Sequence, residues 1–274
     1  VRRPPLAGLL LRHPFAGPLL GLSRAGLLLT PLLAPHGAAE APQTSSETLR
    51  VFAAVSLQDA FREIARSFEA AHPGTSIELS FAGSQVLQSQ IEHGARADVF
   101  AAADPAHSDA LARKGLLGPA RVFARNRLVV AVPRSGAKVR ALRDLARPGL
   151  KLVVAGPAVP LGRHTESVLK KLAAGAEAGF EPRVRANVVS QETNARAVLA
   201  KVALGEADAG FVYASDAGSA AVAALAIPAQ ANAVAEYPIA VLANSRAARV
   251  ARAFVEFVFG DAGRAALRRH GFED

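Results

Sequence analysis

The apolar positions of this chain change period repeatedly, and each change marks an element. From Leu49 to Val55 the residues are mostly apolar and β-compatible, which predicts a strand. Phe61, Ile64, Ala65, Phe68 and Ala71 then recur at spacings of three and four, which predicts a helix over 57–71. His72-Pro73-Gly74 supplies the breakers that end it. Ile77, Leu79 and Phe81 alternate, as in a half-buried strand over 76–81. Val86, Leu87, Gln90 and Ile91 follow on one helical face, closed by His93-Gly94. Asp98–Asp104 reads as a short buried strand ending at an acid, and His107–Lys114 as a helix ended by Gly115.

The second half continues in the same way. Strands are predicted at Arg127–Val132, Leu150–Ala155, Val184–Val189, Ala209–Tyr213 and Tyr237–Leu242. Helices are predicted at Leu142–Leu145, about 163–174, a segment carrying Ala195, Val198, Leu199 and Val202, then Ala247–Phe259 and Asp261–Arg269. Strands alternating with helices along the chain predict an α/β fold with mostly parallel sheets. In such sheets ligands lie beyond the carboxyl ends of strands, where helices begin.

Four strand-to-helix junctions share one chemistry. The first is Val55-Ser56-Leu57, with Asp59 at capping-box spacing from Ser56. The second is Gly83-Ser84-Gln85, and the third the loop Gly156-Pro157-Ala158-Val159-Pro160-Leu161-Gly162. The fourth is Ser190–Asn194, with Thr193 or Asn194 as candidate N-cap. A helix start presents unpaired backbone N–H groups and the positive end of its dipole, a ready site for an anion. One such serine alone is ordinarily just a cap. The repetition carries the functional reading.

Composition narrows the setting. Residues 1–41 contain Arg2, Arg3, Arg12 and Arg24 against the single acid Glu40, then an apolar run and small residues. They read as a signal peptide, cleaved near Ala39 or Ala41. A chain that begins with Val and contains no Met is consistent with an alternative start codon. No apolar run reaches the length of a transmembrane helix. With no cysteine, disulfides, thiol catalysis and a lipid-modified N-terminal cysteine are all excluded. The expected location is therefore the periplasm.

The net charge of +9 comes mostly from scattered arginines, and the chain has two tyrosines and no tryptophan, so nucleic-acid binding is poorly supported. No G-x-S-x-G elbow and no H-E-x-x-H pair occurs, so neither a hydrolase nor a cation site is indicated, and no cofactor is expected. His164 is the one histidine near a junction.

Phe52-Ala53-Ala54-Val55-Ser56-Leu57, Phe81-Ala82-Gly83-Ser84, Ala97–Asp104 and Gly210-Phe211-Val212-Tyr213-Ala214-Ser215-Asp216-Ala217 occur in that order. Together they resemble the periplasmic molybdate-binding proteins of ABC transporters, within the type II periplasmic-binding-protein fold, over residues 49–272. The resemblance implies two α/β lobes, about 48–127 plus 238–274 and 132–229, joined by crossovers near Asn126–Pro133 and Ala229–Tyr237. It implies an oxyanion bound by Ser56, Ser84, main-chain N–H groups at Leu161 and at Ala195 (or its neighbour Asn194), and the Tyr213 hydroxyl. Leu161 and Ala195 depart from the residue types expected there, which matters little if only their N–H groups bind. Gly83-Ser84-Gln85 replaces a serine-rich run.

The implied partners are molybdate, tungstate, and the permease and ATPase subunits of an importer, with the protein itself a monomer and not an enzyme. Molybdate is a tetrahedral dianion that only accepts hydrogen bonds, so a site of donors without Asp or Glu suits it. Arg163 and His164, beside the third junction, are the residues whose assistance is open. The alternatives are another oxyanion, such as sulfate or phosphate, and a secreted α/β enzyme.

Overall fold

The structure is a computed structural model that describes residues 47–218 and 221–274; the leader at 1–41 lies outside the described residues. Nine strands join in one mixed sheet. They are β1 (Glu47–Ala54), β2 (Thr75–Ala82), β3 (Val99–Ala101), β4 (Arg121–Pro133), β5 (Leu152–Ala155), β6 (Val188–Glu192), β7 (Ala209–Tyr213), β8 (Val222–Ala226) and β9 (Val234–Val241). The order is β2-β1-β3-β9-β4-β7-β5-β6, with β8 also paired to β4.

Parallel pairing holds where a helix connects the strands: β1 with β2 and β3, and β5 with β6 and β7. Among the described strands, each antiparallel pairing of one strand with another involves β4 or β9. These two strands join the halves of the sheet. β4 pairs with β9 through Arg121–Arg127, then with β7 and β8 from Leu128 on. The mixed character thus comes from the two connecting strands, which local periodicity does not reveal.

The helices are α1 (Gln58–Ala71), α2 (Ser84–Glu92), α3 (Pro105–Arg113), α4 (Pro160–Ala174), α5 (Phe180–Ala186), α6 (Ala195–Ala203), α7 (Ala248–Phe259) and α8 (Asp261–Arg269). The apolar stripe of α1 is buried as its spacing requires, with Phe61 and Phe68 edge-on to Phe254 of α7 at 6.2 and 5.4 Å. Each buried phenylalanine contributes roughly 1.5–3 kcal/mol. Gly74, Gly94, Gly115 and Gly205 close α1, α2, α3 and α6 with positive φ. Among the described residues no helix is long and apolar enough to cross a membrane.

Two expectations are corrected. Val184–Val189 does not form a strand. Val184 and Ala186 end α5, and β6 starts only at Val188. The alternation of Val184, Ala186 and Val188 imitates a strand, but Phe180 and Val184, one helical turn apart, are buried together on one face of α5. The Ser56–Asp59 capping box does not form either. Neither α1 nor the 3-10 turn Val55–Leu57 before it has a side-chain cap, and Asp59 turns instead to Arg196.

Candidate functional site

Each of the four junctions is positioned by ordinary local chemistry. Ser56 sits in the turn between β1 and α1, 5% exposed, with its Oγ 3.2 Å from Tyr237 Oη. Ser84 is the first residue of α2, and its Oγ accepts a 3.0 Å hydrogen bond from the Ala103 N–H. Pro160 opens α4, where its missing N–H costs nothing, and Leu161 follows. A Cβ at Gly162 would stand 2.0 Å from the Gly156 carbonyl, so only glycine lets this helix start close against the end of β5. Asn194 caps α6 through Oδ1, which accepts from the Ala197 N–H at 2.9 Å. Ala195 then opens the helix with its own N–H in the unpaired first turn. Of the two candidates for this cap, Asn194 is the one used.

Ser56, Ser84, Leu161, Ala195 and Tyr213 all line one small cavity, and none of its lining residues is charged. Tyr213 ends β7, is 1% exposed, and its hydroxyl has no hydrogen-bond partner among the described residues. Burial pushes its pKa well above the ordinary tyrosine value, and the nearby Tyr237 hydroxyl adds to the shift. It therefore remains a protonated donor. The cavity offers hydroxyl and main-chain donors to a guest and no carboxylate.

Arg163 is not part of the lining. Its guanidinium is engaged by Asp104, the Ala158 carbonyl and His107 Nε2. His107 accepts there, so its Nδ1 donates to Gln88 Oε1 at 2.5 Å. His164 lies edge-on to Tyr213, ring centroids 6.4 Å apart. Burial lowers the pKa of both histidines.

Three contacts around the cavity tie the β1–β3 half to the β5–β7 half. Arg163 of α4 holds Asp104 after β3, and Arg196 of α6 reaches Asp59 of α1 at 2.6 Å. Gln85 of α2 donates to the Thr193 carbonyl at 2.8 Å. Arg196 also lies 2.8 Å from Asp216, which is buried and accepts no well-formed hydrogen bond. Burial pushes the Asp216 pKa up to about 7 against the pull of Arg196.

Residues 49–273 match the bacterial extracellular solute-binding proteins. The chain belongs to this family. It is similar to the molybdate-binding protein ModA of Mycobacterium tuberculosis, with 41% identity over 90% of this chain and 93% of that protein. Among solved structures it resembles the periplasmic molybdate-binding protein of Azotobacter vinelandii, with 22% identity and a TM-score of 0.72 over 82% of this chain and 98% of that one. It also resembles the sulfate-binding protein SubI of M. tuberculosis, with 19% identity and a TM-score of 0.73 over 82% of this chain and 86% of that one. At such identities both structures speak for the fold alone.

For this solute-binding protein, sequence reasoning missed Tyr237, Asp104 and the Arg196–Asp59–Asp216 group. Nothing local marks their contacts: Tyr237 reads as a strand residue, Asp104 as the end of a buried strand, and Asp59 as a capping-box partner. Among the described residues, no group of three or more His, Asp or Glu is arranged to hold a metal ion.

Proposed function

We propose that this solute-binding protein captures molybdate, and tungstate with it, in the cavity between its two half-sheets and delivers it to an ABC importer. The observation that carries the reading is the Tyr213 hydroxyl, buried and protonated, with no well-formed hydrogen bond among the described residues, at a cavity free of carboxylates. Burying a hydroxyl without a partner costs about 1–3 kcal/mol, a cost that a bound acceptor removes. Ser56, Ser84 and the first-turn N–H groups of Leu161 and Ala195 complete a set of donors. Charge-assisted bonds of this kind contribute about 1.5–3 kcal/mol each.

An oxyanion that keeps a proton needs an acceptor, and this lining supplies no carboxylate for it. Sulfate fits the same donor logic but has shorter central bonds, so a cage sized for molybdate holds it with stretched hydrogen bonds. Tungstate matches molybdate in size. The relationship to ModA supports the larger ions.

In this reading, lobes at 48–127 plus 238–274 and at 132–229 close about β4 and β9, and closure reports occupancy to the permease and ATPase. The protein works as a monomer in the periplasm after loss of its leader, and binding involves no catalysis. Arg163 and His164 act from behind the lining.

Isothermal titration calorimetry of the purified protein with molybdate, tungstate and sulfate tests the reading. Tight one-to-one binding of the first two is expected, with sulfate at least about 4 kcal/mol weaker, roughly a thousandfold. Comparable sulfate binding would make the protein a general oxyanion carrier. Binding of none of the three would sink the ligand assignment and leave the fold standing.

A further inference from the structure

A serine hydroxyl can donate or accept, and an anion site works only if its serines donate. At Ser84 the Ala103 N–H occupies one lone pair and an amide nitrogen cannot take a proton in return, so the Ser84 proton is left for another acceptor. Among the described residues Ser56 Oγ has no such backbone donor. Its recorded side-chain partner is the hydroxyl of Tyr237, 3.2 Å away, and either oxygen could be the donor in that pair.

Tyr237 is well placed to settle the direction. It is fully buried in β9, the strand that pairs with both β3 and β4. Its ring is held edge-on by Phe272 at 5.3 Å, Tyr213 at 5.8 Å and Phe123 at 6.4 Å. The nearby Asn126 amide has its Oδ1 and one Nδ2 hydrogen in use, and its second Nδ2 hydrogen can only donate toward the phenol oxygen. Its Oδ1 accepts from the Arg127 N–H at 2.9 Å, and its Nδ2 donates to Ser215 Oγ at 2.7 Å. A phenol is also more acidic than an aliphatic hydroxyl, and so the stronger donor of the pair.

We propose that Tyr237 is a positioning residue for the oxyanion site: its phenol donates to Ser56 Oγ and commits the Ser56 proton to the bound ion. The inference rests on the oxyanion reading and deepens it. The chain Tyr237 O–H to Ser56 O–H to anion matches the chain Ala103 N–H to Ser84 O–H to anion. Each donor polarises the next. With each serine accepting from behind, its one proton is left for the ion, and a hydrogen-bearing oxyanion would bring its own proton against it. Tyr237 thus contributes to rejecting protonated ions without touching them.

The test is a double-mutant cycle of Tyr237→Phe and Ser56→Ala, read by calorimetry with molybdate and with inorganic phosphate. Tyr237→Phe keeps the ring and its packing. It is expected to weaken molybdate about tenfold, the scale of one hydrogen bond. It should shift the phosphate-to-molybdate affinity ratio toward phosphate, because Ser56 Oγ is then free to accept. In the Ser56→Ala background the same change should have little further effect. An unchanged ratio, or full additivity with Ser56→Ala, would overturn the proposal, since a purely structural role weakens both ions alike.

A second readout does not depend on the Tyr237 variant folding. The chain has two tyrosines and no tryptophan, so Tyr213→Phe leaves Tyr237 as its one tyrosine chromophore. In that protein Ser56→Ala should blue-shift its near-ultraviolet absorption, because the phenol loses the oxygen it donates to. No shift in the Tyr213→Phe protein would refute the proposal. If the unsubstituted protein binds none of the oxyanions, the functional reading fails first and this inference with it. If it binds molybdate and Tyr237→Phe binds it equally well, this inference alone fails.

Discussion

Arg163, in the first turn of α4, holds Asp104 just after β3, with its Nε 3.1 Å from Oδ2. Asp104 is 4% exposed, its second oxygen has no hydrogen-bond partner, and the preceding residue, Ala103, lines the cavity. A buried negative charge therefore sits beside a site for anions, and Arg163 both neutralises it and spans the two halves of the sheet.

Removing Arg163 exposes the bound anion to that charge. Arg163→Ala is expected to weaken molybdate binding by about 1–2 kcal/mol, less than the 3–5 of a fully buried pair because the Arg163 side chain is 37% exposed. Adding Asp104→Asn should recover most of the loss. Calorimetry at two salt concentrations checks both, and equal binding by Arg163→Ala and the unsubstituted protein would remove the electrostatic argument.

Tyr213→Phe should separate binding from stability. It deletes a donor to the ion and lowers affinity by roughly 1.5–3 kcal/mol. It also deletes a buried hydroxyl with no well-formed hydrogen bond among the described residues, so the ligand-free protein should melt at an equal or higher temperature. A lower melting temperature together with unchanged affinity would show that Tyr213 serves packing alone.

Gly162→Ala places a Cβ 2.0 Å from the Gly156 carbonyl and 2.7 Å from that of Ala155. The first turn of α4 must move away from β5 and carry the Leu161 N–H with it. Destabilisation of about 1–3 kcal/mol is expected from such overpacking, with a loss of molybdate affinity larger than for alanine at exposed Arg183. Thermal melts with and without molybdate measure both effects.

Asp216 predicts a pH dependence. Its folded pKa of about 7 lies above the ordinary value of 3.8, so between those values the folded state holds a proton that the unfolded state lacks. Stability from this group is present at low pH and is lost as pH rises through about 4 to 7. Relative to the unsubstituted protein, Asp216→Asn should gain stability across that window, by at most about 1.4 kcal/mol per pH unit. Urea unfolding at several pH values tests the sign, and a gain confined to acid would contradict it.

Much of this was legible along the chain because the features are local. The α1 stripe, the glycines after α1, α2, α3 and α6, and the serines at strand ends depend on neighbours three or four residues apart. Val184 was misread for the same reason: a period of two over three residues is shared by a strand and by the end of a helix, and burial against Phe180 decides between them. The Ser56–Asp59 capping box is suggested by spacing alone, whereas the side-chain partner of Ser56, Tyr237, is 181 residues away.

The sequence by itself determined the alternation of strands and helices, the absence of thiol chemistry, and the residue types available at four helix starts. Period, turn chemistry and composition are carried by contiguous residues. Only the tertiary structure decided that those four starts and Tyr213 share one cavity, that Arg163 serves Asp104 and does not line the cavity, and that Tyr237 stands behind Ser56. Those relationships arise because β4 and β9 run between the two halves of the sheet and bring distant strand ends together, and long-range strand pairing leaves no periodic trace in the chain.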